Sequence, residues 1–183
     1  MEDRGDAVSQ TREWLERVVI GLNLCPFAAT PHRAGRIRIV ASQATADIAL
    51  LTDLRTELQF LNDADPEVFE TTLIVVTEML QDFEDYNDFL DLADVLLHQK
   101  GWDGEFQIAS FHPQYQFADT APDDASNLTN RSPWPVLHII REASLEEALE
   151  GLAEDPAEIP VRNIQCVEAL TDDERRDLFP WLS

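Results

Sequence analysis

Two side chains in irregular segments of this sequence have the chemistry that catalysis needs. His112 directly follows a predicted strand, where open α/β sheets place ligand groups, and we predict that it acts as an acid or base. Cys25 lies between Leu24 and Pro26 and is the candidate nucleophile. The alternative for Cys25 is that it is a buried packing residue.

Positive charge is scarce in this chain and unevenly placed. There are 36 acidic residues against 13 basic ones, the formal net charge is −23, and Lys100 is the only lysine. If the arginines in and beside the irregular segments converge, they form a pocket for a carboxylate or phosphate. The alternative is that each arginine pairs with a nearby acid or joins two structural elements. The predicted substrate-binding residues are Asn127, Asn130, Arg131, Arg141, Arg162 and Tyr115.

These residues leave two functions open. The first is an enzyme or ligand-binding protein that acts on a small anionic metabolite through an Arg/His/Asn loop site. The second is a non-catalytic protein–protein interaction module that uses an exposed aromatic surface formed by Trp134, Phe117 and Tyr115. The alternative role for His112 is that of a metal ligand, with His138 and an acid such as Asp119. No two candidate ligands show the close repeated spacing of a strong metal motif, so no metal site is predicted, and the sequence indicates no cofactor or oligomeric state.

Composition also limits the partners and the compartment. A surface this acidic repels nucleic acid and anionic lipid, so neither is expected as a partner. No apolar run approaches the roughly 18–20 residues of a membrane span. Cys25 and Cys166 match no disulfide framework, and the polar start at 1–10 does not resemble a secretory signal, which favours the cytoplasm. Because acidic, lysine-poor surfaces suit high salt, we expect a halophilic or salt-tolerant source.

Alternating helical and extended patterns predict the elements that position these residues. The run at 71–77, β-branched except for Leu73, is typical of a central strand covered on both faces. Further strands are predicted at 36–41, 106–111 and 136–141. Helices are predicted at 8–21, from a cap at Ser42 or Thr45 to Leu61, at 82–99, from Ser144 with Glu147 in capping-box spacing, and after a cap at Thr171.

Strands separated by helices imply crossover connections and a mixed or mostly parallel sheet. We therefore predict a single domain over residues 1–183, with an α/β or α+β fold. The expected architecture is an open two-layer sandwich with a mixed four-stranded sheet, ferredoxin-like as the first choice and three-layer α/β as the alternative. The segments at 25–35 and 112–135 are predicted loops. The second is unusually long for a compact domain, and such loops often carry function.

Four separated motifs resemble a known family. They are Gly-Leu-Asn-Leu-Cys-Pro-Phe-Ala at 21–28, Phe-His-Pro and Tyr-Gln-Phe-Ala within 111–118, Asn-Arg-Ser-Pro-Trp-Pro-Val-Leu-His at 130–138, and Ile-Pro-Val-Arg-Asn at 159–163. In order and over nearly the whole chain they resemble the bacterial family catalogued as domain of unknown function 1415. The resemblance implies no activity. Trp134 departs from the tyrosine expected between the two prolines of the third motif.

Overall fold

Four strands form one open sheet in the computed structural model, which describes residues 4–153 and 155–182. The strands are β1 (Ile37–Ser42), β2 (Thr71–Val76), β3 (Phe106–Phe111) and β4 (Val136–Arg141), in the order β1-β2-β4-β3. β1 runs parallel to β2, and β4 is antiparallel to both of its neighbours. Part of the predicted polar start, residues 1–3, lies outside the described residues.

Helices connect the strands and follow them. They are α1 (Arg4–Trp14), continued by a π-helical turn (Leu15–Ile20), α2 (Ala29–Arg33), α3 (Asp47–Asp63), α4 (Phe83–Lys100), α5 (Glu142–Glu150), α6 (Ile159–Glu168) and α7 (Asp172–Leu178). Short 3₁₀ turns cover Ala125–Asn130, Pro156–Glu158 and Pro180–Leu182. Among the described helices, none combines the length and apolar character that crossing a membrane requires.

One face of the sheet is covered by α3 and α4. Four leucines of α3 recur every three or four residues, which places them on one side of the helix, and all four are completely buried. Together with aromatic residues of α4 they pack against Ile74 and Val76 of β2 and Leu137 and Ile139 of β4. We call this closed layer the α3/α4 side.

The opposite face is covered by α1, its π-helical turn and the C-terminal helices. Trp14, Val18 and Val19 pack there against Leu73 and Val136. Because successive strand residues point to opposite faces, Leu73 and Ile74 belong to different layers. We call this second layer the cavity side.

The open α/β sandwich and the mixed four-stranded sheet are confirmed. Helices cover both faces, so the layers correspond to the three-layer alternative and not to the two-layer first choice. Helix α4 joins β2 to β3, which run parallel with β4 between them, as in half of a ferredoxin-like fold. Helix α3, in contrast, joins the direct neighbours β1 and β2, so the complete ferredoxin-like order is not formed.

Local corrections concern helix starts and the first loop. The five-residue helix α2 lies within the segment predicted as a loop at 25–35. Neither Ser42 nor Thr45 caps α3, because the Ser42 hydroxyl donates to the Asp53 carboxylate at 2.6 Å and the helix begins after Ala46. Helix α5 begins at Glu142, two residues before the predicted cap at Ser144. The predicted cap at Thr171 is confirmed, within a capping box.

Candidate functional site

His112 lies at the start of the long loop and is completely buried. Its Nδ1 accepts a hydrogen bond from the Gln114 amide at 2.9 Å, and its Nε2 donates to the Leu80 carbonyl at 3.0 Å. Burial lowers the pKa of the imidazole, which keeps it neutral. Backbone groups thus occupy both ring nitrogens, and the ring ties the start of the long loop to Leu80. Its action as an acid or base stays a prediction.

The two predicted asparagines hold the same loop together. The Asn127 amide is completely buried, and its Oδ1 accepts from the Phe117 amide at 2.9 Å and the Thr120 hydroxyl at 3.0 Å. Its Nδ2 donates to the Ala121 carbonyl at 2.9 Å. Asn130 is half-buried and donates to the Ser110 carbonyl at 3.2 Å. Both side chains therefore order the chain between β3 and β4.

The three predicted arginines contact three different parts of the fold. Arg131 donates to the Tyr115 carbonyl at 3.2 Å and to the Pro122 carbonyl, both within the long loop. Arg141 donates to carbonyls around the end of α3, among them Ala64 at 3.1 Å. Arg162 donates to the Asn23 carbonyl at 2.8 Å, in the turn after the π-helical turn. The structure does not bring the three together at one anion site.

A cavity of about 470 Å³ lies between the long loop, the π-helical turn and α6. Its wall includes residues from all four motifs: Leu24 and Cys25 from the first, Phe111 and Phe117 from the second, Asn130 from the third, and Pro160 and Asn163 from the fourth. We call this space the motif cavity.

The polar groups of the motif cavity are held in place by internal hydrogen bonds. Asn163 donates its Nδ2 to the Leu24 carbonyl at 2.6 Å, which ties α6 to the first motif. The Thr129 hydroxyl donates to the Ser126 carbonyl at 2.9 Å. Thr120, Ser126 and Asn130 are further polar residues of the wall, and most of its exposed area is aliphatic or aromatic. The cavity therefore suits a ligand with an apolar body, oriented by a few fixed oxygen and nitrogen atoms.

A family model described as "Protein of unknown function (DUF1415)" matches residues 6–177. The chain belongs to this family. No curated protein and no solved structure matches it. The motifs by which the sequence resembles DUF1415 proteins are thus the same segments that meet around the motif cavity.

Cys25 forms part of the wall of the motif cavity and is half-buried. Burial raises the pKa of its thiol, and hydrogen bonds with the Phe27 and Ala28 backbone oppose this only in part. The thiol is therefore protonated near neutral pH, the form less suited to nucleophilic attack. The nucleophilic role of Cys25 stays a prediction.

A second cavity of about 220 Å³ lies on the cavity side, directly against the sheet. It shares three wall residues with the motif cavity, namely Val19, Cys25 and Phe111. His138 of β4 lines it, and Thr71 of β2 contacts His138 Nε2 through its hydroxyl oxygen at 2.7 Å. We call this space the sheet cavity.

His138 is the functional candidate that sequence reasoning leaves out of the predicted site. From the sequence it is a candidate only as a metal ligand, together with His112 and Asp119. The sequence does contain a signal for His138. It shares one face of a predicted strand with Val136 and Ile140, and a histidine is unexpected on a face that is otherwise apolar. Burial lowers the pKa of His138 to about 4, so the ring is neutral at physiological pH.

A third, smaller cavity of about 180 Å³ resembles the predicted anion site, because several arginines line it. Arg131, Arg175 and Arg176 line it together with Asp123 and Asp124. We call it the arginine pocket. The Arg175 guanidinium donates to carbonyls at the end of α6, Glu168 at 3.2 Å among them, whereas Arg176 pairs with Asp173.

The aromatic residues of the predicted interaction surface are all half-buried. Trp134 donates its indole N–H to the Gln10 side chain at 2.8 Å. Tyr115 packs between Phe83 and Phe117, with both ring centroids 5.0 Å away. Within residues 4–153 and 155–182, no three His, Cys, Asp or Glu side chains group as metal ligands do.

Proposed function

We propose that this protein binds a small organic molecule with a mostly apolar body in the motif cavity. The observation that carries the proposal is that four motifs, far apart in the sequence, contribute side chains to one wall. Its volume of about 470 Å³ lies within the roughly 300–1,000 Å³ of small-molecule sites. The proposal holds for a carrier and for an enzyme, since it concerns binding.

The hydrogen bonds inside the wall support binding with little rearrangement. The Asn163 amide and the Thr129 hydroxyl already have partners, so a ligand meets atoms that are fixed before it arrives. Fixed walls reduce the entropy that is lost on binding. The long loop contributes to this rigidity because Asn127 bonds three of its groups.

The second candidate function is binding of a small anion in the arginine pocket. This corresponds to the anionic metabolite predicted from the sequence. The observation in its favour is that Arg131 and Arg175 donate to neutral carbonyls. Their charges are therefore available to a carboxylate or phosphate. Asp123 and Asp124 in the same wall reduce this attraction. The interaction module has less support, because its aromatic side chains already have intramolecular partners.

We further propose that the protein works in a salt-rich cytoplasm. Both cysteines are free, as a reducing compartment requires. The 36 acidic residues far outnumber the 13 basic ones, and dissolved ions screen the resulting repulsion.

The test of the motif cavity is a thermal-shift panel of neutral and anionic metabolites in high salt. A ligand at one hundred times its dissociation constant adds about 2.7 kcal/mol to the free energy of unfolding. Ile164→Trp places a large ring in the motif cavity, and Val161→Trp adds the same ring on the exposed side of α6 as the matched control. We expect Ile164→Trp to abolish stabilisation by a neutral ligand and Val161→Trp to retain it.

Stabilisation that survives Ile164→Trp would reject the motif cavity as the binding site. Anion binding in the arginine pocket is tested separately by Arg175→Gln, which removes one positive charge from that pocket. Loss of stabilisation by phosphate or carboxylate compounds in that variant, with neutral ligands unaffected, would establish the second candidate.

A further inference from the structure

Hydrogen bonding fixes the tautomer of His138 in the sheet cavity. The Thr71 hydroxyl donates its single proton to the Ile139 carbonyl. The oxygen of that hydroxyl lies 2.7 Å from His138 Nε2 and accepts the second hydrogen bond. Nε2 therefore carries the proton of the neutral ring, and Nδ1 carries a lone pair.

That lone pair has no hydrogen-bond partner among the residues the structure describes, since Thr71 is the only group bonded to the His138 ring there. The ring lines a cavity whose wall is almost entirely apolar, with Leu15, Val19, Leu73 and Ile140 among its residues. An acceptor in apolar surroundings gains most from a ligand that brings a hydrogen-bond donor.

We propose that the sheet cavity is a second binding site, which takes an aromatic or aliphatic alcohol whose hydroxyl donates to His138 Nδ1. The volume of about 220 Å³ exceeds the roughly 150 Å³ of an apolar cavity that admits benzene, so a substituted ring fits. This site is separate from the motif cavity, and it assigns Thr71 as a positioning residue that holds the tautomer.

The other charged or reactive side chains in the wall of the sheet cavity are less suited than His138 to orient a bound ligand. The Arg141 guanidinium is engaged by carbonyls near the end of α3. Glu70 pairs with Arg36 at 3.5 Å, and Cys25 is protonated. A carboxylate ligand has no proton to give to Nδ1, so it gains nothing from this acceptor.

Phenol and toluene test the proposal directly, because they have nearly the same shape and differ in the donor. Binding is followed by NMR through the amide signals of Ala109 and Leu73, the two strand partners of His138. We expect phenol to bind roughly three- to tenfold more tightly than toluene, and benzoate to leave these signals unmoved.

The variant His138→Phe removes the acceptor and leaves Thr71 bonded to Ile139, so the sheet keeps its contacts. In this variant the preference for phenol over toluene should disappear. His98→Phe, at an exposed position near the end of α4, is the matched control and should keep the preference. Equal binding of the two ligands by the unaltered protein, or a preference that persists in His138→Phe, would overturn the proposal.

If His138→Phe does not fold, the imidazole nitrogen signals of the unaltered protein decide the question. The Nδ1 signal must shift with phenol and stay in place with toluene, and an unchanged signal overturns the proposal. Ile164→Trp separates this inference from the proposed function, because it fills the motif cavity and should leave the phenol preference intact. The two binding sites are thus tested by different measurements, and either can be rejected without the other.

Discussion

The two faces of the sheet are built in opposite ways. On the α3/α4 side, regularly spaced leucines and aromatic residues fill the layer against β2 and β4. On the cavity side, the π-helical turn, short helices and the long loop leave the motif cavity and the sheet cavity, which share Val19, Cys25 and Phe111. The contrast indicates that the packed α3/α4 side supplies most of the stability, which allows the cavity side to contain two cavities.

The two sides differ because apolar residues recur at regular helical spacing in α3 and do not in the segments of the cavity side. Helix α3 repeats Leu50, Leu54, Leu58 and Leu61 at helical spacing, so these side chains form one continuous buried stripe against the sheet. The cavity side is assembled from segments without such a repeat, joined by hydrogen bonds from Asn127 and Asn163. Irregular backbone supported by polar contacts can border a cavity that a regular helix would close.

Equivalent truncations on the two sides should differ in their cost. Leu54→Ala removes a completely buried side chain from the closed layer, and we expect it to lower the free energy of unfolding by about 3–5 kcal/mol. Leu24→Ala, at the wall of the motif cavity, should cost about 2 kcal/mol, because this side chain already borders empty space. Urea unfolding measures both. Equal costs would contradict the division between the two sides.

The polar supports of the cavity side can be removed one at a time. Asn127→Ala leaves the Phe117 amide and the Ala121 carbonyl without their partner, at an expected cost of about 2–4 kcal/mol. Asn130→Ala removes a half-buried amide and should cost about 1 kcal/mol. Limited proteolysis should cut Asn127→Ala within 112–135 faster than Asn130→Ala. Similar cleavage of both variants would show that Asn127 does not hold the loop.

Acid should weaken the cavity side through His138. Its pKa is about 4 in the folded protein, against about 6.5 in the unfolded chain, so only the unfolded chain takes up a proton between these values. Stability that is fully present above pH 6.5 is therefore lost as the pH falls towards 4, by up to roughly 3 kcal/mol.

The acid effect is measured by urea unfolding of the unaltered protein and His138→Phe at pH 7 and pH 4.5. Glu70, Arg141 and Cys25 face the same cavity, and His112 titrates in the same direction, but all four are present in both proteins. The variant should lose less stability on acidification. Parallel losses in the two proteins would exclude His138 as the source.

The exposed surface of the α3/α4 side should respond to salt. Asp91 on α4 has Asp88 and Asp94 three residues away on either side, and like charges at this spacing repel. Asp91→Asn should raise the melting temperature by about 1 °C in dilute buffer. At 1 M salt, where the Debye length is about 3 Å, the gain should vanish. A gain of the same size at both salt concentrations would show that repulsion is not its cause.

Much of the fold could be predicted because its signals are local. The run at 71–77, β-branched except for Leu73, predicts a buried central strand, and β2 is buried along its whole length. The helix predicted at 82–99 is found as α4, with Asp82 as its cap and Gly101 directly after its last residue. The strand order could not be obtained in this way, since pairing of β4 with β2 joins residues more than sixty positions apart.

The site was harder to predict because it depends on where side chains point. Arg131, Arg141 and Arg162 all lie in or beside the irregular segments of the sequence, yet each donates to a different set of backbone carbonyls. Hydrogen bonds of side chains to the backbone leave no pattern in the sequence. His138 shows the opposite case, since its place on an apolar strand face is a visible signal.

The π-helical turn sets the direction in which the chain leaves its first helix. Gly21 donates its amide to the Glu16 carbonyl five residues earlier at 3.0 Å, and a side chain on Gly21 would collide with the Arg17 carbonyl. If the turn closed into a regular α-helix with all its residues kept, the segment after Gly21 would rotate by about 100°, the turn of one α-helical residue. Val19 and Cys25 would then leave the shared wall, so the one extra residue of the π-helical turn is what directs both side chains towards the two cavities.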